Sequence, residues 1–372
     1  MGMEPYKDEL EPDDAQPPED RRRGSRGKHV MIGAHGIAFL FGLGLLAFLI
    51  YNVGYQSILE SVSKVGWGFI PIFALNFIRH VSRAASMYLA VEPEHRNFKF
   101  RSALAARFGG EAVTFFTFTG PFLGDAAKAI LLRRNLPLTY GASAVIIDNI
   151  LYYLTVIFMV LAGIALLVAT YGTGGEAVGR VLTGTVIVSL VLFAAFVLAI
   201  TYRVTPTSSA ISFLENKGIA PAFFVRKQKN IKDVESIVFD FYHDRKRDFF
   251  TLFAISIGVH IISVVEVYLI LQLLGFTDAT VATAFIIESL TKIINAAFGF
   301  IPGTVGVYEG GNGLILRILG YTTAVGVALA LVRRGAILLS TVIGVGVLLW
   351  RTAERGAQKI AEAKEQRSSS AE

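Results

Sequence analysis

Several charged and polar side chains recur at helical spacing inside segments that are otherwise apolar. The first set is Asn76, Arg79, His80 and Arg83. Their spacing of three and four residues puts all of them on one face of a helix. An ionisable side chain at the centre of a lipid bilayer costs about 2.5–3.5 kcal/mol on insertion scales. Two interpretations of this stripe therefore stay open: a phosphate-binding site and a structural ion pair.

Oppositely charged residues also recur three or four positions apart later in the chain. The pairs are Arg107 with Glu111, Asp125 with Lys128, and Glu288 with Lys292. Residues at this spacing can neutralise each other on a helix. Asp125 follows Gly124, and an anion is favoured where a half-helix begins. We therefore expect Asp125 to be either a helix cap or a contact to a lipid headgroup.

A third group of charges lies well inside two long apolar segments. Asp148 lies in segment 139–170, and Arg333 and Arg334 occupy the equivalent place in segment 322–350. A salt bridge between them and a site for an anionic headgroup are both open, and one cluster could do both. The candidate substrate-binding residues are Arg79, His80, Arg83, Glu111, Asp125, Lys128, Asp148, Glu288, Lys292, Glu309, Arg333 and Arg334.

The composition indicates which kind of protein holds these charges. Of the 372 residues, 53% are hydrophobic and only 17% are charged, against about 25% charged in an ordinary soluble domain. This predicts an all-α polytopic membrane protein. We expect the net charge of +6 to reflect orientation and contact with anionic lipid headgroups. No segment offers a basic soluble face, so nucleic-acid binding is not expected.

Sequence motifs of enzymes and cofactor sites are missing. The chain has no cysteine, which excludes disulfides, thiolate zinc sites, iron–sulfur clusters and cysteine nucleophiles. It contains no nucleotide-binding GxxxxGK[ST] loop and no HExxH motif. The glycine-rich stretches at 109–111 and 309–313 do not follow a strand, as a nucleotide loop would. We therefore expect no metal, no cofactor and no catalytic residue.

Apolar runs and the basic loops between them predict the topology. The runs are 30–52, 66–90, 102–132, 139–170, 180–202, 249–274, 281–319 and 322–350. Lys and Arg are concentrated in cytoplasmic loops. All basic loops lie on the cytoplasmic side of the membrane only if segments 102–132 and 281–319 each enter and leave the membrane by the same face. We therefore predict six full spans plus two re-entrant hairpins. Both termini are then cytoplasmic, in a prokaryotic plasma membrane.

Proline and glycine interrupt both predicted hairpins. The predicted break residues are Gly120, Pro121 and Gly124 in the first hairpin, and Pro302, Gly303 and Gly306 in the second. These residue types interrupt helices. Backbone groups freed at membrane depth are tolerated only inside protein or along a wet cavity, so the breaks predict one of these two surroundings.

The two halves of the chain resemble each other at an offset of about 180 residues, as an internal repeat does. Matched residues include Phe73 with Phe253, His80 with His260, and Tyr88 with Tyr268. Each unit contains three crossings, so the second must be inverted relative to the first, an arrangement typical of transporters.

These patterns divide the chain into a disordered cytoplasmic tail (1–28), two membrane repeats (29–175 and 176–350) and a second cytoplasmic tail (351–372). Loop 203–248 contains an amphipathic stretch. It suits either a helix on the inner leaflet or a helix packed on the base of the bundle.

Both hairpins resemble a known family. Residues 106–150 are similar to the first half of its pattern, and residues 298–335 to the second, where a P-G-x-x-G-x-x-E break precedes a span with Arg. This is the lysylphosphatidylglycerol synthase transmembrane region, also called a flippase-like family. The resemblance implies movement of aminoacylated or other polar lipids between leaflets. It also implies that the chain binds membrane lipids with an anionic or aminoacylated headgroup. The soluble aminoacyl-transferase domain of the synthases has no counterpart in this sequence.

Three functions remain open at this point. The chain is expected to be a flippase-like transporter of a polar lipid, whose headgroup is left open between lysyl, hopanoid and other isoprenoid lipids. The alternatives are a membrane-embedded lipid-modifying transferase and a non-catalytic partner of a lipid-synthesis enzyme. A homo-oligomer is also left open.

Overall fold

A computed structural model describes residues 63–117, 120–172, 175–203, 205–217 and 227–369, together with residues 56, 60, 219 and 225. Within these ranges the chain forms eleven α-helices and three short 3-10 turns, and no strand. The prediction of an all-α fold is confirmed. The predicted tail 1–28 and the first predicted span, 30–52, lie outside the described residues.

The α-helices of the described residues are numbered in chain order. They are α1 (Phe69–Ala90), α2 (Phe100–Phe116), α3 (Gly120–Leu132), α4 (Leu138–Tyr171), α5 (Glu176–Thr201), α6 (Pro206–Asn216), α7 (Gln228–Asp244), α8 (Lys246–Leu273), α9 (Val281–Phe298), α10 (Val307–Ile318) and α11 (Thr323–Ser369).

Five segments in the described part are long and apolar enough to cross a membrane. They are Leu138–Tyr171, Glu176–Thr201, Lys246–Leu273, Val281–Phe298 and Thr323–Glu354. The chain is therefore a multi-pass integral membrane protein. Helix α9, which we predicted as one arm of a re-entrant hairpin, is among the five, so the count of six full spans stays a prediction.

Both segments predicted as hairpins consist of two helices that pack on each other around a break. In the first, α2 ends at Phe116 and α3 starts at Gly120, with Pro121 in its first turn, where proline is tolerated. In the second, α9 and α10 are separated by a short turn at Pro302–Thr304. Gly303 and Gly306 have φ values of 59° and 78°, which glycine adopts without strain.

Gly124, predicted as a break residue, lies instead inside α3, at its contact with α2. A Cβ atom built on Gly124 would lie 2.8 Å from the carbonyl oxygen of Gly110 and would also overlap the hydroxyl of Thr114. Gly124 is therefore required by close helix packing and not by the break. Because α3 already begins at Gly120, Asp125 lies past its first turn and does not cap the helix.

We predict that Gly124→Ala destabilises the protein by about 1–3 kcal/mol, because the new methyl group meets backbone that cannot move aside. The measurement is the thermal unfolding midpoint in detergent. The matched control is Gly184→Ala, since a Cβ on this glycine of α5 meets nothing within 4 Å. Equal midpoints for the two variants would contradict this account of the α2–α3 contact.

The amphipathic stretch in loop 203–248 forms helix α7. It packs against α4 and α8, and the side chains of Val238 and Phe241 belong to the same apolar core as Leu252 of α8. Of the two interpretations left open by the sequence, the structure therefore favours a helix packed on the base of the bundle.

The packing of the long helices brings the polar residues of the spans to one level. Helix α1 packs against α8, α2 against α11, and α9 against α4. Arg79, Asp148 and Arg333 each lie about 15 Å along the axis from the start of their helix, which is half of the ~30 Å hydrocarbon thickness of a bilayer. At this distance from the start of their helices, we expect the three charges to lie near the middle of the membrane.

Candidate functional site

A cavity of about 340 Å³ lies where the two helix breaks approach each other. Phe115 and Pro121 from the first break and Ile301, Gly303 and Thr304 from the second line its wall. Helices α1, α2, α3, α4, α8, α9, α10 and α11 contribute the other lining side chains. The breaks therefore border a polar cavity, which is one of the two surroundings that the sequence predicted.

Most of the predicted binding residues meet in this cavity. The lining includes Arg79, His80, Arg83, Glu111, Asp125, Lys128, Glu288, Lys292, Arg333 and Arg334. The other two candidates, Asp148 and Glu309, are buried and pair with cavity arginines. The structure thus gathers residues that are scattered over most of the sequence, while their role in binding stays a prediction.

A first chain of ion pairs and hydrogen bonds joins α1, α4 and α3. Arg83 donates two hydrogen bonds to Asp148 Oδ2, at 2.6 and 3.1 Å, and both residues are buried. The neighbouring Asn149 accepts from Arg83 at 2.9 Å and donates to Asp125 at 2.6 Å. Asp125 in turn pairs with Lys128 at 2.8 Å. Asp125 is therefore held by side chains of two helices.

A second chain of ion pairs contains three cations and only two carboxylates. Glu266 accepts from Arg79 at 2.9 Å and lies 3.4 Å from Arg333. Glu288 pairs with Arg333 at 2.7 Å and with Lys292 at 2.6 Å. This network carries one surplus positive charge.

The partners of Arg333 differ from one of the two sequence interpretations. The sequence left open a direct salt bridge from Arg333 to Asp148. In the structure Asp148 pairs with Arg83, and Arg333 pairs with Glu266 and Glu288. The two positions that the predicted repeat makes equivalent therefore have separate partners.

Arg334 fixes the second break. It pairs with Glu309 and donates to the carbonyl oxygens of Gly303 at 2.9 Å and Thr304 at 3.4 Å. Glu309 is fully buried and also accepts from the backbone N–H of Gly306 at 2.7 Å. These contacts satisfy polar groups of the break that have no helical partner, so the pair has a structural role.

The accessible carboxylates of the cavity lie on the first hairpin. Glu111, paired with Arg107 at 3.1 Å, has 27% of its side chain exposed, and Asp125 has 29%. The exposed fraction of Glu266 is only 1%. Among the cations of the second network, Arg79 is 19% and Lys292 13% exposed. The cavity thus offers acidic and basic groups on different helices.

Tyr152 separates the two charge networks. The guanidinium of Arg83 lies 4.0 Å from the centre of its ring, and Lys292 donates to its hydroxyl at 3.3 Å. The sequence analysis did not select this residue, because a tyrosine in an apolar helix carries no signal of its own. Its position one helical turn after Asp148 is the feature that could have identified it.

His80 lies in the cavity wall beside a different aromatic ring. Its imidazole packs on Phe108 with ring centres 5.2 Å apart. Among the described residues, no group of three or more His, Cys, Asp or Glu side chains could hold a metal ion.

We predict that Arg83→Gln destabilises the protein by about 3–5 kcal/mol, because it leaves the buried carboxylate of Asp148 without its cation. The double variant Arg83→Gln, Asp148→Asn should recover much of the loss, since no buried charge remains. Thermal unfolding of the three proteins in detergent measures this. A double variant no more stable than the single one would argue against a paired role.

One comparison with known proteins identifies a family. A family model described as the lysylphosphatidylglycerol synthase TM region matches residues 36–344, which is most of the chain. No curated protein and no solved structure matches.

Proposed function

We propose that this chain, which belongs to the lysylphosphatidylglycerol synthase transmembrane-region family, moves a lipid with a charged headgroup between the leaflets of a prokaryotic plasma membrane. The observation that supports this most is the charged cavity between the two helix breaks. A polar site at membrane depth is costly to build, and a lipid headgroup that must cross the apolar layer needs such a site.

The charges of the cavity suit a headgroup with a phosphate. The second network has a surplus positive charge, and Arg79 and Lys292 are its accessible members. Charge-assisted hydrogen bonds from such groups to phosphate are short and strong. The accessible carboxylates Glu111 and Asp125 could bind an ammonium group of the same headgroup. An aminoacylated phospholipid has both groups.

Exposed phenylalanines flank cavity-lining residues in the sequence at both breaks. They are Phe116, Phe122, Phe298 and Phe300, and each is next in sequence to a residue that lines the cavity. We infer that they form its apolar margin. A polar cavity with an apolar margin suits an amphipathic ligand, whose headgroup enters while its acyl chains stay among the lipids. This feature favours a lipid over a soluble anion.

The helix packing supports the proposed pair of inverted units. Helix α2 packs against α11, and α9 packs against α4, so the first helix of each hairpin contacts the last helix of the other unit. The α1–α8 contact joins equivalent helices. Inverted units with broken helices at their interface suit alternating access to a site at mid-membrane depth. Both termini are then cytoplasmic.

We predict that Arg79→Gln lowers the rate of lipid movement at least tenfold, because it removes the surplus charge while Arg333 still pairs with both carboxylates. Liposomes containing acyl-labelled fluorescent phosphatidylglycerol and the protein are treated with dithionite, which quenches only the outer leaflet. Nearly complete quenching is expected with the unchanged protein, and about half in the same time with the variant.

Arg180→Gln is the matched control for that experiment. Its side chain lies on α5 and is 73% exposed, and within the described part of the chain it pairs only with Glu176, one turn away. Equal rates for Arg79→Gln and Arg180→Gln would contradict the assignment of the cavity. Half quenching with the unchanged protein would contradict transport of this lipid, and a new lipid species in cells that express the protein would favour the transferase alternative.

We further predict that Phe122→Gln together with Phe300→Gln slows movement of a long-chain lipid several-fold, because the acyl chains lose apolar surface at the cavity margin. The control is Leu192→Gln, an exposed position on α5. The same quenching experiment measures all three proteins. A double variant as fast as the control would show that the margin does not contact the lipid.

A further inference from the structure

One ring nitrogen of His260, on α8, has no hydrogen-bond partner within the described part of the chain. The residue is 6% exposed, and its Nε2 lies 2.9 Å from the hydroxyl of Thr155. That hydroxyl also lies 2.8 Å from the carbonyl oxygen of Tyr152 and 3.2 Å from that of Leu151. A carbonyl only accepts, so a hydroxyl that donates to the nearer carbonyl leaves its oxygen to accept from Nε2–H, and we assign this tautomer to His260. Nδ1 is then the unprotonated nitrogen.

Nδ1 is buried and accepts no hydrogen bond from the described residues. A neutral imidazole has one donor and one acceptor nitrogen, and a buried acceptor without a donor is unusual in a folded protein. Histidine is also the side chain whose charge changes most readily near neutral pH. The free Nδ1 is therefore a place where a proton can be added without breaking an existing hydrogen bond.

The surroundings connect His260 to the cavity. Its ring stacks on Tyr152 with centres 4.9 Å apart, and the hydroxyl of Tyr152 accepts from Lys292. The charged groups that act on His260 are Lys292 and Glu288 of α9 and Arg83 of α1. Glu266, on its own helix, is paired with Arg79 and Arg333. One tyrosine ring therefore separates His260 from the network with the surplus charge.

We propose that His260 is a proton-binding site coupled to occupation of the cavity, so that an anionic headgroup and a proton bind together. The inference rests on the proposed function, because it names the ion that accompanies the lipid. A phosphate beside Lys292 cancels the surplus positive charge, and a proton from water then adds to Nδ1. Binding free energies are reciprocal, so the proton strengthens lipid binding as much as the lipid strengthens proton binding.

The charge balance explains how coupling would serve transport. The empty network carries one positive charge, a bound phosphate monoanion makes it neutral, and the added proton restores one positive charge. The loaded and empty forms then have equal charge. Lipid movement would follow the direction of a pH difference across the membrane.

The experiment measures lipid binding and proton uptake separately. Dihexanoyl phosphatidylglycerol is added to the detergent-purified protein in weak buffer near pH 7, with a pH-indicator dye, and binding is followed by calorimetry. We expect the unchanged protein to take up as much as one proton for each lipid bound. His260→Gln should bind the lipid but take up none, since its amide still donates to Thr155. His243→Gln, on α7 outside the cavity, should take up as many protons as the unchanged protein.

A second measurement does not depend on the folding of a variant. Affinity of the unchanged protein for the same lipid should rise on the order of tenfold from pH 8 to pH 6, a typical magnitude for coupling between sites. The phosphodiester of this lipid does not titrate in that range. Dihexanoyl glycerol, which lacks the phosphate, should show no such rise.

The outcomes separate the two proposals. Lipid binding without proton uptake, uptake that persists in His260→Gln, or affinity independent of pH would each overturn the proton site and leave the proposed transport function standing. Absence of any phosphate-dependent lipid binding would overturn the proposed function together with the inference that rests on it.

Discussion

The whole structure depends on the rule that charges at membrane depth must be paired. Every pair that joins two helices also fixes their positions, and the partners here come from distant parts of the chain. The ion pair of Arg83 joins α1 to α4. Those of Arg333 join α11 to α8 and α9, and that of Arg334 joins α11 to Glu309, just after the second break. Removing one partner leaves an uncompensated charge, which costs more than the pair itself contributes. The cavity is therefore bordered by the same contacts that hold the helices together.

Pairing divides the charged residues into two groups. In the first group the side chains bind other groups of the protein. Arg83 donates hydrogen bonds to Asp148 and Asn149. Arg334 pairs with Glu309 and donates to the carbonyl oxygen of Gly303 in the second break. Members of the second group, such as Arg79 and Glu111, keep part of their side chain exposed to the cavity. The first group positions helices, and the second is available to a ligand. Sequence spacing alone does not separate them, because both groups look like isolated charges in apolar segments.

The sequence predicted the elements better than the partners. Proline and glycine predicted both breaks. Charged residues in apolar segments were selected as twelve candidates, and ten of them line one cavity in the structure. Gly124 was misplaced because glycine serves close helix packing as well as helix interruption. The partners of Arg333 were not predictable, since they depend on how α11 is rotated against α8 and α9. Tyr152 was missed because an aromatic residue in a membrane helix is ordinary until its neighbours are known.

The second break shows how the two groups of charges are linked. The ring of Phe115 at the end of α2 lies against Gly303, where a Cβ atom would be 3.1 Å from it. Arg334 donates a hydrogen bond to the carbonyl oxygen of Gly303. The contact between the two breaks is thus set by an arginine next in sequence to Arg333, which belongs to the network with the surplus charge. The network with the surplus charge and the contact between the breaks therefore meet on one turn of α11, through Arg333 and Arg334.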